Sequence, residues 1–382
     1  MPQRGFTQIR NKIAINQQQN PFILTVSSST AVIITASNSS NLSTTTITLS
    51  LFTLLPVFLV KLLSITIGLL GNLFVCIAIR FDRRLHNATN YFLFSLALAD
   101  LLVCALVMPL SLLQEIIQGK WRWNLTMCQI YTYSDVFLCS ASIVHMSVIS
   151  FDRYLGISKP LKTRNKSITM IIIKIILVWL ITTIISCPIM IISLIDPSNI
   201  FQNDSNLCLI SNRYFMIYGS TFAFLIPFIV MAVTYVKTTN LLYKQANSLT
   251  QGLNKNNVGG DGLRRAIIPI RKYAARLATR VLAVVFCCFF VCWTPFFAAN
   301  FASGFCGESC VIPSTLASFF LWLGYFSSTI NPIIYTIFNR KFRQAFLQII
   351  RCQCFCNQFS SKRPPFLYEN TTELVIEIHF FS

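Results

Sequence analysis

Two aspartates lie within long apolar segments of the sequence, where a carboxylate is costly unless it is paired or hydrated. Asp135 lies in the first half of its segment, with no Lys or Arg at a comparable depth obviously available to neutralise it. The sequence therefore predicts that Asp135 binds an external cation, such as the ammonium group of an amine, through a charge-assisted hydrogen bond. The alternative is an aspartate that is satisfied by neighbouring hydroxyls or held protonated.

Asp100 lies midway along another apolar segment and predicts a different kind of site. Polar residues in other segments fall at depths from which they can approach its carboxylate: Asn72, Ser142, Ser328 and Asn331. Their oxygens suit a small hydrated cation such as sodium, but they equally suit a structural polar cluster that contains water. The sequence leaves these two readings open.

Arg153 follows Asp135 on the same segment after 18 residues. In a helix this is about five turns, so both side chains project from one face, about 27 Å apart along the axis. Arg153 stands between Asp152 and Tyr154 near the end of the segment, where a local ion pair with Asp152 can hold it. One helix would thus connect an outer pocket with the inner surface.

Aromatic residues and prolines surround the predicted amine site. In Trp293-Thr294-Pro295-Phe296-Phe297, the proline removes a helix hydrogen bond and permits a kink beside three aromatic rings. Such rings suit an amine that carries a flat ring, and Trp322 and Tyr325 can add to them from the last apolar segment. Pro227 and Pro332 likewise predict kinks.

The elements that must position these residues are membrane-spanning helices. The chain has 382 residues, of which 54% are hydrophobic and only 11% charged, too few for the surface of a water-soluble domain. Its net charge of +19 could indicate a nucleic-acid-binding protein, but the basic residues interrupt apolar runs. We predict an all-α membrane protein, a seven-transmembrane helix bundle, with spans at about 55–79, 90–114, 128–150, 169–194, 214–238, 279–303 and 315–337.

Charge distribution predicts the orientation in the plasma membrane. Basic residues concentrate after spans one, three, five and seven, which places the N-terminus outside and the C-terminus in the cytoplasm. We expect residues 1–53 to form a disordered extracellular tail and residues 54–350 to form the helix bundle, which ends in a short amphipathic eighth helix. Residues 351–382 predict a cytoplasmic tail.

Modification sites follow from this orientation. The sequons on the outer side are Asn38, Asn41, Asn124 and Asn203. Four cysteines lie outside and allow three pairings, but the short interval from Cys306 to Cys310 favours closure on itself, which leaves Cys128 to pair with Cys208. Three cysteines after the amphipathic helix are predicted sites of palmitoylation or, alternatively, spare cytosolic thiols: Cys352, Cys354 and Cys356.

In their order and spacing these residues resemble the rhodopsin-like (class A) G-protein-coupled receptors over about 290 residues. The matching motifs are Gly71-Asn72, Leu96-Ala97-Leu98-Ala99-Asp100, Asp152-Arg153-Tyr154, Trp179, Pro227, Cys292-Trp293-Thr294-Pro295 and Asn331-Pro332-Ile333-Ile334-Tyr335. Asp135 with Trp322-Leu323-Gly324-Tyr325 resembles the aminergic branch. The run from Asn87 to Leu93 and the run from Asp152 to Pro160 resemble type-2 serotonin receptors of invertebrate type.

This resemblance implies a ligand pocket in the outer half of the bundle. Its residues are Asp135, Val136, Cys139, Ser140, Ile210, Gly219, Ser220, Ala223, Trp293, Phe296, Phe297, Asn300, Trp322 and Tyr325. Catechol receptors usually present several serines in span five, whereas this chain presents Ser220 between Gly219 and Thr221. One hydroxyl with free space favours serotonin over dopamine, octopamine or tyramine, although Thr221 and Ser140 could be recruited.

The resemblance also implies how a signal leaves the pocket. Ile143, Pro227 and Phe289 match the packing switch, while Arg153, Tyr235, Pro332 and Tyr335 match the inner rearrangement that admits a G protein. Leu161 matches the apolar residue that docks against its alpha subunit. Type-2 serotonin receptors couple to Gq, phospholipase C and calcium release, and arrestin and receptor kinases are further expected partners.

Some residues depart from the family pattern. Span six usually begins with an acidic residue that holds the arginine of span three, but here the stretch reads Ala274-Ala275-Arg276. This difference predicts raised basal signalling. Cys139 replaces a serine, Ser327 stands where asparagine is common, and Lys61 lies unusually within span one.

Two other classes of protein compete with an amine receptor. The first is a transporter or channel; a transporter should show inverted repeats, and no internal repeat is evident. A constitutively active orphan receptor would give no amine-dependent signal. The three histidines do not cluster with acids and cysteines, and there is no Gly-rich phosphate loop, so we predict neither an enzyme nor a metal site. We expect no cofactor, apart from a possible sodium ion near Asp100.

Overall fold

The computed structural model describes residues 42–86, 88–117, 120–159, 168–202, 206–255, 261–310 and 312–351. Side chains are described for all of these except 42–54, 84, 88–89, 246, 248–255, 261–282 and 308. Most of the described chain is helical. In chain order the helices are α1 (Leu42–Phe81), α2 (Ala88–Leu102, Val103–Val107 and Met108–Ile116), α3 (Leu125–Ser158), α4 (Ile168–Ile195), α5 (Arg213–Gly219, Ser220–Leu225 and Ile226–Lys255), α6 (Asp261–Cys306), α7 (Ser314–Phe338) and α8 (Arg340–Ile350).

Each of the seven predicted spans lies within one of the helices α1 to α7. By length and composition, six helices in the described part of the chain can cross a membrane, namely α1 to α6. The 25-residue α7 is less apolar because it carries Ser328, Thr329 and Asn331, and these polar side chains are buried in the bundle. The first helix begins at Leu42, earlier than the predicted span, and it continues through Pro56.

Helix α3 lies at the centre of the bundle. All residues from Leu138 to His145 are buried, on every side of the helix, as expected of a helix enclosed by others. It packs against α2, α4 and α5, and the bundle closes through contacts of α7 with α1 and α6. Large apolar side chains such as Ile184 and Leu194 on α4 are exposed, which suits a surface that faces lipid.

A close approach of α1 and α7 requires a glycine. A Cβ atom placed on Gly71 would lie only 2.9 Å from the Cβ of Pro332. Pro332 lies inside α7, where it cannot donate a helix hydrogen bond, and the glycine lets its ring pack directly on the backbone of α1. The motifs Gly71-Asn72 and Asn331-Pro332 are therefore in contact in the fold.

The connection between α4 and α5, which the predicted orientation places outside the membrane, forms a small hairpin over the bundle. Its two strands, β1 (Phe201–Gln202) and β2 (Leu207–Cys208), are antiparallel. Cys208 forms a disulfide with Cys128 at the start of α3, and the side chain of Gln114 on α2 donates a hydrogen bond to the Cys208 carbonyl at 2.6 Å. The hairpin is thus attached to two helices.

The second outer disulfide joins Cys306 and Cys310 after α6. Both disulfides have the pairing that the sequence predicted. The short helical turn Gly307–Ser309 between the paired cysteines contains Gly307, whose positive φ of 60° suits glycine.

Candidate ligand-binding site

Asp135 on α3 faces α7 and accepts hydrogen bonds from neutral donors. The hydroxyl of Tyr325 on α7 donates to its Oδ1 atom at 3.1 Å, and the thiol of Cys139 donates to the same atom at 3.4 Å. Asp135 is only partly buried. Among the side chains that the structure describes, no Lys or Arg forms an ion pair with it. The carboxylate therefore has neighbours that orient it but none that balances its charge.

Aromatic rings from α6 and α7 line the space near Asp135. The rings of Trp322 and Tyr325 meet edge to face, with centroids 5.6 Å apart. On α6, the ring of Trp293 lies 5.6 Å from that of Phe297 and 6.3 Å from that of Phe296. These five rings, which the sequence proposed as contacts, are brought together.

Gly324 permits the contact between the two aromatic groups. A Cβ atom at this position would lie 2.6 Å from the Trp293 ring, and Trp293 is itself buried. The glycine in the Trp322-Leu323-Gly324-Tyr325 motif is thus required by packing against α6. Phe224 on α5, which the sequence analysis did not single out, stacks on Phe297 with centroids 4.7 Å apart.

On the α5 side, Ser220 presents an unpaired hydroxyl. Its side chain is 1% exposed, and its oxygen has no hydrogen-bond partner among the described residues. A buried hydroxyl without a partner costs free energy, so a ligand group that bonds to it is favoured. The hydroxyl of Thr221 differs, because it donates to the carbonyl of Ile217 at 2.8 Å. Thr221 is therefore committed to the helix backbone.

The backbone around Ser220 is widened. Ser220–Leu225 forms a π-helical turn, a feature that often occurs at functional sites. Gly219 and Ala223 are buried beside Ser220, and a Cβ atom at Gly219 would approach other atoms only to 3.7 Å. Packing therefore does not demand a glycine there, and a Cβ atom would make only ordinary contact with the Phe215 ring.

The remaining predicted pocket residues lie around this centre. Val136 and Ile210 are half-buried members of the apolar cluster that contains Trp293 and Trp322. Ser140 is buried on α3, and Asn300 is half-buried on α6, one turn beyond Phe296.

Asp100 on α2 lies in a closed polar cluster below the pocket. Its side chain is fully buried, and its two oxygens accept hydrogen bonds from Ser142 at 2.7 Å and from Asn331 at 2.6 Å. Asn72 lies beside them and donates to the backbone carbonyl of Ser328 at 3.0 Å, rather than to the carboxylate. All five predicted members are thus brought together.

A small cavity borders this cluster. Its volume, counted as the space that the centre of a water molecule can occupy, is about 20 Å³, which holds about one water. Its walls include Ser142 and Asn331 from the polar cluster, and Phe289 and Trp293 from α6. The cavity therefore lies between the aromatic rings of the pocket and Asp100.

At the inner end of α3, Asp152 forms an ion pair that the sequence did not predict. Lys174 on α4 donates to its Oδ1 atom at 2.5 Å. Farther along the bundle, the ring of Tyr235 stacks on that of Phe286 at 5.5 Å, and the buried Tyr335 hydroxyl has no hydrogen-bond partner among the described residues. Polar groups at this end are thus spread over α3, α4, α5 and α7.

The predicted packing switch is a set of buried apolar contacts. Ile143 and Phe289 are almost fully buried and belong to one apolar cluster, and Pro227 is buried on α5. The ring of Phe289 lies 6.0 Å from that of Phe224, which in turn stacks on Phe297 in the pocket. A continuous row of rings therefore leads from the pocket to this level.

Comparison with known proteins identifies the fold. The sequence pattern of the family described as "7 transmembrane receptor (rhodopsin family)" matches residues 71–335, which contain Asp100, Asp135 and the Asp152-Arg153-Tyr154 triplet. The chain belongs to this family. It is accordingly a multi-pass membrane receptor and not an enzyme.

Serotonin receptors are among its relatives. The 5-hydroxytryptamine receptor 2C of Canis lupus familiaris and that of Homo sapiens are each 36% identical to this chain over 347 residues, which is 80% of this chain and 73% of theirs. The Rattus norvegicus receptor of the same name is 36% identical over 348 residues.

Several predicted residues lie outside the described part of the chain. These are Leu161, the sequons Asn38, Asn41 and Asn203, the cysteines Cys352, Cys354 and Cys356, and most of both tails. The side chains of Ala274, Ala275 and Arg276 are likewise not among those described. Asn124 is exposed, and its side-chain oxygen accepts a hydrogen bond from the Met127 N–H and so caps α3.

Sequence reasoning missed two polar clusters. One joins Lys61 on α1 with Glu115 on α2 and with Ser318 and Trp322 on α7. The other is a chain of hydrogen bonds through His145 on α3. The only signal in the sequence was the presence of Lys61, Glu115 and His145 in or beside apolar segments.

Proposed function

We propose that the chain is a G-protein-coupled receptor for a biogenic amine, and that the amine is serotonin. The observation that carries the proposal is Asp135, a carboxylate held by Tyr325 and Cys139 without a protein cation among the described side chains. A protonated amine supplies the missing charge and a hydrogen-bond donor together. The surrounding rings add cation–π and stacking contacts.

Ser220 supports serotonin as the amine. Its unpaired hydroxyl lies in the widened turn of α5, beside the small residues Gly219 and Ala223. Because the Thr221 hydroxyl is used by the helix backbone, α5 offers one hydroxyl here and not the pair that a catechol engages. The names of the relatives agree with this ligand. Dopamine and octopamine or tyramine are the alternatives that a panel of amines tests.

We further propose that the output is coupling to a Gq-type protein, with phospholipase C activation and calcium release. The choice of Gq follows from the resemblance to type-2 serotonin receptors, and the Asp152-Arg153-Tyr154 triplet supports coupling to a G protein in general. Arg153, Tyr235 and Tyr335 would form the rearranged inner surface, with Leu161 docked on the G protein, and arrestin and receptor kinases would act on the same face. The N-terminus lies outside the plasma membrane and the C-terminus inside.

The polar cluster at Asp100 supports an allosteric sodium ion. The carboxylate, the Ser142 hydroxyl and the Asn331 amide oxygen are suitable hard ligands, and the adjoining cavity admits a water. In this proposal the ion stabilises the resting receptor beneath the pocket.

The test is Asp135→Asn in the full-length chain. An amide retains the shape but not the charge, so we expect a loss of about 2–5 kcal/mol in amine binding, or roughly 30-fold or more in affinity. Radioligand competition and a calcium assay against a panel of monoamines measure this loss. Asp196→Asn, at an exposed loop position, is the matched control and should change nothing. Equal serotonin potency in the Asp135 variant and the wild type would refute the proposal, and a receptor that no amine activates would favour an orphan with basal activity.

A further inference from the structure

Lys61, Glu115, Ser318 and Trp322 form a polar cluster where α1, α2 and α7 meet near their outer ends. We call it the Lys61–Glu115 cluster. The ammonium of Lys61 pairs with Oε2 of Glu115, while the Ser318 hydroxyl and the Trp322 indole N–H, at 3.0 Å, donate to Oε1. The side chain of Lys61 is 13% exposed and that of Glu115 is 32% exposed. One carboxylate thus holds one cation and two neutral donors.

Lys61 makes the same two kinds of contact that a bound amine would make. Besides the carboxylate of Glu115, its ammonium lies 4.7 Å from the centroid of the Trp322 ring. A carboxylate beside an aromatic face is a favourable site for an alkylammonium group, through a charge-assisted hydrogen bond and a cation–π contact. The outer end of the bundle therefore contains an ammonium site that the protein's own lysine already fills.

This filled site is continuous with the amine site at Asp135. Ser318, Trp322 and Tyr325 follow the spacing i, i+4 and i+7 and so share one face of α7. The Trp322 ring contacts the Tyr325 ring, and the Tyr325 hydroxyl donates to Asp135. Seven residues of helix rise by about 10 Å, a distance that a flexible alkyl tether spans.

We propose that Lys61 occupies a second ammonium site and thereby restricts the receptor to ligands with a single cationic group. This inference rests on the proposed binding of an amine at Asp135. A ligand that carries a second ammonium on a tether would meet Lys61 and be repelled by the like charge. Without Lys61, Glu115 keeps its two neutral donors and the Trp322 face, and becomes able to bind that second ammonium.

The experiment compares matched ligands on the full-length receptor in cell membranes. The probes are tryptamines whose amine nitrogen carries an ω-aminoalkyl tether of about 4–10 carbons, each paired with the N-alkyl tryptamine that lacks the terminal amine. In the wild type the terminal amine should bring no gain in affinity. In Lys61→Met we expect a gain of about tenfold or more at the best tether length, the size of a charge-assisted hydrogen bond.

Three control variants separate this effect from a loss of packing. Lys61→Arg keeps the positive charge and should show the wild-type ratio of affinities between each diamine and its N-alkyl partner. Lys61→Met with Glu115→Gln removes the carboxylate and should abolish the gain. Arg122→Met removes an exposed cation from the outer side and should leave the ratio unchanged. If Lys61→Met does not reach the cell surface, Lys61→Gln carries the same comparison, because its amide can donate to Glu115.

The proposal would be overturned if the neutral Lys61 variant kept its monoamine affinity and showed the wild-type ratio of diamine to N-alkyl affinity at every tether length. A gain that persists after Glu115→Gln would also overturn it. Asp135→Asn, measured in the same membranes, distinguishes failure of the underlying amine site. If monoamine affinity survives that change, the proposed function itself is wrong, whatever the diamines do.

Discussion

At the scale of single residues, Asp135 and Ser220 each lack a partner of a particular kind. Asp135 has two neutral donors but no cation among the described side chains, and the Ser220 hydroxyl has no partner among them. A ligand with an ammonium at one end and a hydroxyl at the other supplies both. These two residues lie on α3 and α5, so a ligand that bonds to both must extend from one helix to the other. The aromatic rings of α6 and α7 then lie beside it.

Ser220→Ala should distinguish amines by their ring hydroxyl. Serotonin affinity should fall about tenfold, because one hydrogen bond to a buried hydroxyl is lost, whereas tryptamine, which has no ring hydroxyl, should be nearly unaffected. Radioligand competition with the two amines measures the ratio.

Thr221→Val is the matched control for this prediction. Its hydroxyl donates to the Ile217 carbonyl, so its loss should leave the serotonin-to-tryptamine ratio at the wild-type value. Equal losses for both amines in Ser220→Ala would mean that Ser220 acts on packing and not on the ligand hydroxyl.

The residue types of the pocket were predictable, but the pairing of charges was not. Asp135 stood out because a carboxylate inside an apolar segment has few explanations. Glu115 lies at the end of α2 and Lys174 in the second turn of α4, and a charge near a helix end does not by itself indicate a partner. That Glu115 meets Lys61 and that Lys174 meets Asp152 depends on how neighbouring helices are rotated and tilted, which a single sequence does not specify.

At the scale of helices, His145 ties α3 to α2 and α4. It is fully buried, and its Nδ1 atom lies 2.7 Å from the Ala141 carbonyl, so we assign the proton to Nδ1. Its Nε2 atom then accepts from the Ser95 hydroxyl at 2.9 Å, whose oxygen accepts from the Trp179 indole at 3.1 Å. Every polar atom of this imidazole has a partner, so its role is structural.

His145→Ala should destabilise the bundle without altering the ligand site directly. Loss of two buried hydrogen bonds and of the ring's packing on Trp179 should lower the free energy of unfolding by about 2–4 kcal/mol. Thermal denaturation of the detergent-solubilised receptor measures this change. His86→Ala, at an exposed position, should have little effect, and equal melting temperatures for the two variants would contradict the assigned role.

The helices were predictable where composition alone decides them. Seven apolar segments placed seven helices, because a span must be apolar and about 20 residues long. The extension of α1 back to Leu42 and of α6 back to Asp261 was not predicted, since those residues are too polar to be counted as membrane-embedded. The π-helical turns Val103–Val107 in α2 and Ser220–Leu225 in α5 were also missed, because counting at 3.6 residues per turn assumes a regular helix.

At the scale of the whole molecule, two long helices, α3 and α6, each connect the pocket with the inner surface. From Asp135 to Arg153 on α3 is 18 residues, and from Ala275 to Trp293 on α6 is also 18 residues. Each interval spans about 27 Å of helix. Position 275 of α6 is thus as far along its helix from Trp293 as position 153 of α3 is from Asp135.

Ala275→Glu should therefore lower basal signalling. A carboxylate at this depth gives Arg153 an additional partner that favours the resting arrangement, and a partly exposed ion pair should reduce ligand-independent calcium signalling about two- to fivefold. Signalling should be normalised to surface receptor number. Ala274→Glu, which points about 100° away around the helix, should not lower it. An unaltered basal signal in Ala275→Glu would contradict the predicted lack of an inner lock.

The π-helical turn Ser220–Leu225 also determines where α5 can lose a residue. Such a turn holds one residue more than a regular helix would need, and one residue corresponds to about 100° of rotation. Deleting a single residue there would restore regular winding and leave the faces above and below it unchanged. The same deletion elsewhere in α5 would rotate one end of the helix away from its neighbours. The pocket wall is thus the place in α5 where the deletion of one residue can be absorbed locally.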